Sequence, residues 1–182
     1  MKGKLHQFFP LSIYSGLAGL TIEQRAAMVR DVDLAVESTG YSDDNSSWTG
    51  DVNGYHQLHD DPIYAPLVAV VHKALIEYNT AAGIAPNQYD YWFTRSWAVK
   101  QTEGRVVDYH RHEMSHISIV YYPEVPKGSG SLQLATDSHQ NELYDGMFRP
   151  EQYTQRMVSL SNPHSAAETG LVVSNDLLVL FP

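Results

Sequence analysis

Tyr89-Asp90-Tyr91-Trp92-Phe93-Thr94-Arg95-Ser96-Trp97-Ala98-Val99-Lys100 is the stretch where the pattern of the chain changes period. Tyr89, Tyr91, Phe93, Arg95, Trp97 and Val99 alternate with Asp90, Thr94, Ser96 and Lys100. Aromatic and β-branched residues two apart suit a pleated strand, whose successive side chains point to opposite faces. The downstream sequence continues in the same manner. Short strands are expected at Arg105–His110, Ile117–Tyr122, Ser131–Leu134, Met157–Leu160, Leu171–Val173 and Leu177–Phe181. Glu103-Gly104, Lys127-Gly128-Ser129-Gly130 and Ser174-Asn175-Asp176 punctuate them as turns. Many short strands with turn chemistry between them predict a β-sandwich or jelly roll. The polar stretch His139–Tyr153 reads as a long loop with the composition of a lid.

Upstream of Tyr89 the pattern is helical. Thr21-Ile22-Glu23-Gln24 is a capping box, in which the Thr side chain takes the third helical N–H while Gln24 reaches back. Ile22, Ala26, Val29 and Val36 follow at roughly helical spacing, and Gly40 closes the segment. Ser42–Asn53 is polar and reads as a loop anchored by Trp48. Asp61-Pro62 opens a second helix, with proline where its missing N–H costs nothing. Its apolar face is Ile63, Leu67, Val70, Val71, Ala74, Leu75 and Tyr78, and Gly83 stops it. The two helices are expected to buttress one side of a sheet. The organisation predicted is a single α+β domain over 1–182, with 1–88 as mainly helical support and 89–182 as jelly-roll strands.

Composition narrows the chemistry. The 182 residues include no cysteine, which removes thiolate metal sites, disulfides and cysteine nucleophiles. That absence fits a reducing compartment, so a cytoplasmic location is expected. Twelve basic against 21 acidic side chains give a formal charge of −9, a field that repels phosphate backbones. No nucleic-acid partner is expected. Nor is a membrane, since the longest apolar run, Leu67–Val71, is far too short to cross one. There is no G-x-S-x-G elbow, so a serine hydrolase lacks support.

The chemistry-bearing stretch is Asp108-Tyr109-His110-Arg111-His112-Glu113. On a strand, His110 and His112 project to one side, about 7 Å apart along the backbone. Two imidazoles so placed can share one metal ion, and imidazole suits iron, zinc, copper and nickel alike. Asp108 faces the same side and could add a carboxylate. An H-x-H pair facing solvent would instead be inert. His116, four residues on, could be a third ligand, or it belongs to the loop or to the edge of the next strand.

The order of several segments carries a resemblance. His110-Arg111-His112 is followed by Ile119-Val120-Tyr121-Tyr122-Pro123 and then by the turn Pro126-Lys127-Gly128-Ser129-Gly130. Phe9-Pro10 through Tyr14, Trp48 through Asp51 and on to Leu58-His59, Ser96-Trp97, and Leu177 through Pro182 complete the pattern. In this order they resemble a family of 2-oxoglutarate–iron(II) oxygenases. The resemblance implies a double-stranded β-helix, Fe(II) as cofactor and 2-oxoglutarate as cosubstrate. It puts His110 and His112 on the proximal metal arm. It makes Tyr122 the strand tyrosine that hydrogen-bonds the 2-oxoglutarate carboxylate; the plain alternative for Tyr122 is a core residue.

The reaction implied is oxidative decarboxylation of 2-oxoglutarate to succinate and carbon dioxide, coupled to hydroxylation of a C–H bond. His112 stands where related enzymes place a carboxylate, so either the site is all-histidine or Asp108 takes that role. The family's distal histidine and its 2-oxoglutarate-binding arginine are expected just past the Leu-Phe-Pro strand, beyond Pro182, so the chain reads as a C-terminally shortened relative. His139 and His164 lie in turn-like surroundings that suit a distal ligand poorly. Tyr91, Phe93, Trp97 and Tyr121 are candidates for the cavity wall, with plain core as the alternative.

Two other readings remain open on the residues. One is a non-catalytic jelly-roll module with a vestigial metal site. The other is a cupin-like, all-histidine metalloenzyme that does not use 2-oxoglutarate. The substrate expected is a small molecule or a protein side chain, and an exposed edge strand gives two copies a way to pair into a homodimer.

Overall fold

The computed structural model describes residues 13–41, 47–85, 87–105, 107, 112, 115–134 and 171–181. Among the described residues seven strands and two α-helices follow in the order β1 (Tyr14–Leu17), α1 (Ile22–Thr39), β2 (Trp48–Thr49), α2 (Ala65–Ala81), β3 (Val99–Lys100), β4 (Ser118–Tyr122), β5 (Ser131–Leu132), β6 (Leu171–Val172) and β7 (Leu177–Phe181). The class is mixed, with helices beside antiparallel sheets. β7 lies between β1 and β4 in a three-stranded sheet, while β2–β3 and β5–β6 form two-stranded ribbons. β1 and β2 fall ahead of residue 89, within the stretch read as helical support.

Each helix forms for the reason its termini suggest. Thr21 Oγ1 accepts from Gln24 N–H at 3.2 Å, and Gln24 Oε1 accepts from Thr21 N–H at 2.9 Å, so the capping box is present. Gly40, with φ 72°, closes α1 by donating its N–H to the Val36 carbonyl. Asp61 caps a single 3-10 turn, Pro62–Tyr64, by accepting from Ile63 N–H at 2.8 Å. The α-helix proper starts only at Ala65. Gly83 follows α2 with φ 80°.

α2 covers the main sheet. Val71, Ala74 and Leu75 from the helix meet Leu178 and Leu180 from β7, with Tyr14, Ile119 and Tyr121 packed around them. α1 departs from the expected arrangement. Its buried residues Ala35 and Val36 pack on Trp48, beside Tyr55 and Ala98, and so support the β2–β3 ribbon. Ile22, read as part of its apolar face, is 71% exposed. Trp48 is the buried anchor foreseen for the 42–53 loop, and its Nε1–H donates to Thr39 Oγ1 at 2.9 Å. Lys100 on β3 donates to Asp33 on α1 at 2.5 Å, and this partner raises the lysine pKa.

The opening stretch is not one strand. Only Val99 and Lys100 join a ladder, pairing with Thr49 and Trp48, and Ser96 makes an isolated parallel bridge to Gln57. The alternation itself is real: Tyr91 and Phe93 turn inward against α2, while Trp92 is 77% exposed. Apolar packing holds this segment without a neighbouring strand, helped by the buried Asn79, whose Nδ2 donates to Tyr91 Oη at 2.7 Å. Arg105 and Val107 are likewise outside any strand. The rest of 105–110, together with 139–153 and 157–160, lies outside the described residues.

Candidate functional site

β4 and β7 define a floor with two faces. Their register pairs Ser118 with Phe181, Ile119 with Leu180, Val120 with Val179, Tyr121 with Leu178 and Tyr122 with Leu177. Ile119, Tyr121, Leu178 and Leu180 point to α2. Pleating therefore sends Ser118, Val120 and Tyr122, with Leu177, Val179 and Phe181, to the opposite face. Val179 has no exposed surface, so this second face is also dry at its centre.

His112 belongs to that second face. Its Nδ1 lies 2.9 Å from Ser118 Oγ. Its ring meets the Trp97 ring nearly at right angles, 81°, with centroids 5.4 Å apart. The Arg95 guanidinium lies over Trp97 at 5.8 Å from the ring centroid. Behind Trp97, the segment is tied to the chain ahead of α2. Leu58 N–H donates to the Ser96 carbonyl at 3.2 Å, and His59 N–H donates to Ser96 Oγ at 2.9 Å. The His59 ring stacks on Phe93, centroids 4.8 Å apart, and its Nδ1 sits 2.7 Å from the same Ser96 hydroxyl. Leu58-His59 and Ser96-Trp97, apart in sequence, thus form one support for the histidine.

Tyr122 shares the face with His112. Burial raises its phenol pKa, which keeps the hydroxyl protonated and able to donate. Among the described residues no hydrogen bond is made to that hydroxyl. Ser118 and Tyr122 are four residues apart on one side of the strand, a separation of about 13 Å. His110 and Asp108 lie outside the described residues, as do His139 and His164. His116 is exposed. Of the wall candidates, Tyr91, Phe93 and Tyr121 belong to the α2 core, and Trp97 alone reaches His112.

Among the described residues no three His, Asp or Glu side chains cluster as a metal site. Of the expected arm, His112 is the histidine that falls among the described residues. Its donor chemistry suits a divalent metal, and its ring is held by a hydrogen bond and an aromatic neighbour on a water-poor sheet face. These are the features a metal-binding imidazole needs.

Residues 95–182 match the model of the family described as "Putative 2OG-Fe(II) oxygenase". The resemblance seen in the sequence is shown over that stretch. The oxygenase match takes in Trp97, His112, Ser118, Tyr122 and strands β3 to β7, while the supporting Leu58, His59 and Phe93 lie ahead of it. The upstream segments from Phe9 to Tyr14 and from Trp48 to His59 lie ahead of it. Searches of curated proteins and of solved structures gave no match. No helix among the described residues is long and apolar enough to cross a membrane.

Sequence reading missed Ser118. The signal was available: with Ile117–Tyr122 taken as a strand, Ser118 and Tyr122 share a side, so a hydroxyl stood beside the site on the face of the proposed cosubstrate tyrosine.

Proposed function

We propose that this chain is an Fe(II)- and 2-oxoglutarate-dependent oxygenase, a single double-stranded β-helix domain over 1–182, acting on a small molecule or a protein side chain. What supports the reading most is one observation. His112 and Tyr122 stand on the same sheet face, turned away from α2, inside the stretch that matches the oxygenase family.

In this reading His110 and His112 hold the iron, with Asp108 as the candidate carboxylate. Bound iron supplies oxidation by molecular oxygen, coupled to decarboxylation of the cosubstrate. The chain's own residues bind, orient and exclude water. Tyr122 donates a hydrogen bond from its hydroxyl to a 2-oxoglutarate carboxylate, a role open to any neutral phenol on this face. Val120 and Val179 between them form an apolar floor, which strengthens charge–dipole contacts made above it. Trp97 walls the histidine side.

The test is anaerobic titration with Fe(II), followed by succinate formation from 2-oxoglutarate on admission of oxygen. Stoichiometric binding that is lost in His112→Ala, together with succinate release, is expected. Metal binding with no thermal shift on adding 2-oxoglutarate would favour a cupin-like metalloenzyme. Absence of metal binding in the parent protein would overturn the reading.

A further inference from the structure

We propose that Ser118 is a positioning residue for the metal arm: it accepts the Nδ1 proton of His112 and so presents Nε2 of that ring to the metal. The inference rests on the metal-binding reading given above and adds to it a tautomer and a second residue.

An imidazole can offer a lone pair from only one ring nitrogen while the other carries its proton. The nitrogen that carries the proton is set by the hydrogen bond it makes, and metal-bound histidines usually donate that proton to a nearby oxygen. In this structure the oxygen is Ser118 Oγ, 2.9 Å from Nδ1. With Nδ1 protonated, the lone pair is on Nε2, at the far side of the ring. Were Ser118 instead to donate to Nδ1, the proton would sit on Nε2 and the ring could not bind a cation there.

The backbone supports the role. Ser118 opens β4, and its register partner is Phe181 on the central strand β7, so its Cα is fixed by a ladder. His112 itself lies outside any strand, and its position depends on side-chain contacts. Two of them restrain different motions. The hydrogen bond to Ser118 fixes rotation in the ring plane, and the perpendicular Trp97 ring limits tilt. Trp97 is in turn adjacent to Ser96, held by the His59 main-chain N–H.

The experiment titrates Co(II) alone into the full-length parent, Ser118→Ala and Ser118→Thr, following the visible Co(II) bands and, separately, the thermal melting of each apo protein. Thr keeps the hydroxyl and suits a strand. We expect Ser118→Ala to bind Co(II) roughly 10–100-fold more weakly than the parent, with an unchanged melting temperature, and Ser118→Thr to bind as the parent does. In the Zn(II)-loaded parent, long-range proton–nitrogen correlation should place the His112 proton on Nδ1. Equal Co(II) affinity in the parent and Ser118→Ala overturns the role of Ser118 and leaves the metal reading standing, as does a proton found on Nε2. Absence of any Co(II) uptake by the parent overturns both.

Discussion

The Tyr121 hydroxyl donates to Oδ1 of Asp176 across 2.8 Å, and the same carboxylate collects the backbone N–H of Gly19 at 2.7 Å and of Leu20 at 3.3 Å. Asp176 also works through its main chain. Its N–H donates to the Tyr122 carbonyl and its carbonyl accepts from Ala18 N–H, both at 2.8 Å. One residue before β7 thus joins the exit of β1, the approach to α1 and the end of β4. It does so with φ 67°, a left-handed conformation that Asn and Asp tolerate better than most residues.

Asp176→Ala removes three acceptor contacts and leaves a Cβ residue in left-handed backbone without the polar side chain that compensates it. The expected loss is about 3 kcal/mol of unfolding free energy. Asp176→Asn keeps the backbone preference and one acceptor oxygen, and is expected to lose about half as much. Urea unfolding of the three proteins measures both.

Alkaline pH should unfold the protein through its buried phenols. Burial raises the Tyr64 pKa, and the Asp31 carboxylate that accepts its hydroxyl at 2.9 Å raises it further. Burial likewise raises Tyr121, aided by its hydrogen bond to Asp176, and Tyr122. A raised folded-state pKa means that, above the ordinary tyrosine value of 10.0, the unfolded chain releases protons that the native state retains. Stability is therefore level on this account below pH 10 and falls above it, by up to about 1.4 kcal/mol per pH unit for each such phenol. Tyr64→Phe should flatten the slope. Denaturant midpoints taken across the alkaline range provide the check.

Leu180 has no exposed surface and packs from β7 against Val71, Ala74 and Leu75 of α2. Leu180→Ala is expected to cost about 2–5 kcal/mol through lost contacts and a residual cavity. Calorimetry of the purified variant reads this directly, and a change below 1 kcal/mol would mean that the helix is not seated as described.

Gly50 sits where no side chain fits. A Cβ there would lie 2.8 Å from the Tyr55 carbonyl oxygen and 3.3 Å from Cη2 of the buried Trp48. Gly50→Ala should destabilise by about 1–3 kcal/mol. The displacement should register as a change in Trp fluorescence even where the protein stays folded.

Tyr122→Phe isolates the phenol. The change keeps the ring on the floor and, on the proposed reading, removes its hydrogen bond to the cosubstrate carboxylate. Half-saturation by 2-oxoglutarate is expected to rise about tenfold, with Fe(II) affinity unchanged. Isothermal titration of each ligand separates the two effects.

How much of this was legible in the sequence depended on whether local chemistry or distant partners formed each element. Thr21 through Gln24 announced the start of α1, and Asp61-Pro62 that of the 3-10 turn that leads into α2, because a cap is made by residues within one turn. Ile117–Tyr122 and Leu177–Phe181 were readable because both faces of that sheet are apolar at the centre. β1 was not: Tyr14-Ser15-Gly16-Leu17 carries little strand character and extends because it pairs with β7. Tyr89–Lys100 misled in the opposite direction. Its alternation reports burial against α2, and burial does not by itself require a ladder partner. For the site, His112 and Tyr122 were marked by residue type and order. Ser118 and the His59–Ser96 support were not, because a hydrogen bond between loop and strand has no periodicity.

β7 is the strand on which both neighbours take their register, with Tyr14 opposite Leu180 at one edge and Val120 opposite Val179 at the other. During synthesis a ribosome delivers β1, both helices and β4 long before it delivers 177–181. Until then β1 and β4 have no template between them, and the apolar side of α2 has no sheet to cover. The nascent protein must carry that exposed surface until residues 177–181 emerge, so its yield in a cell should depend on chaperones that shield apolar segments while they wait.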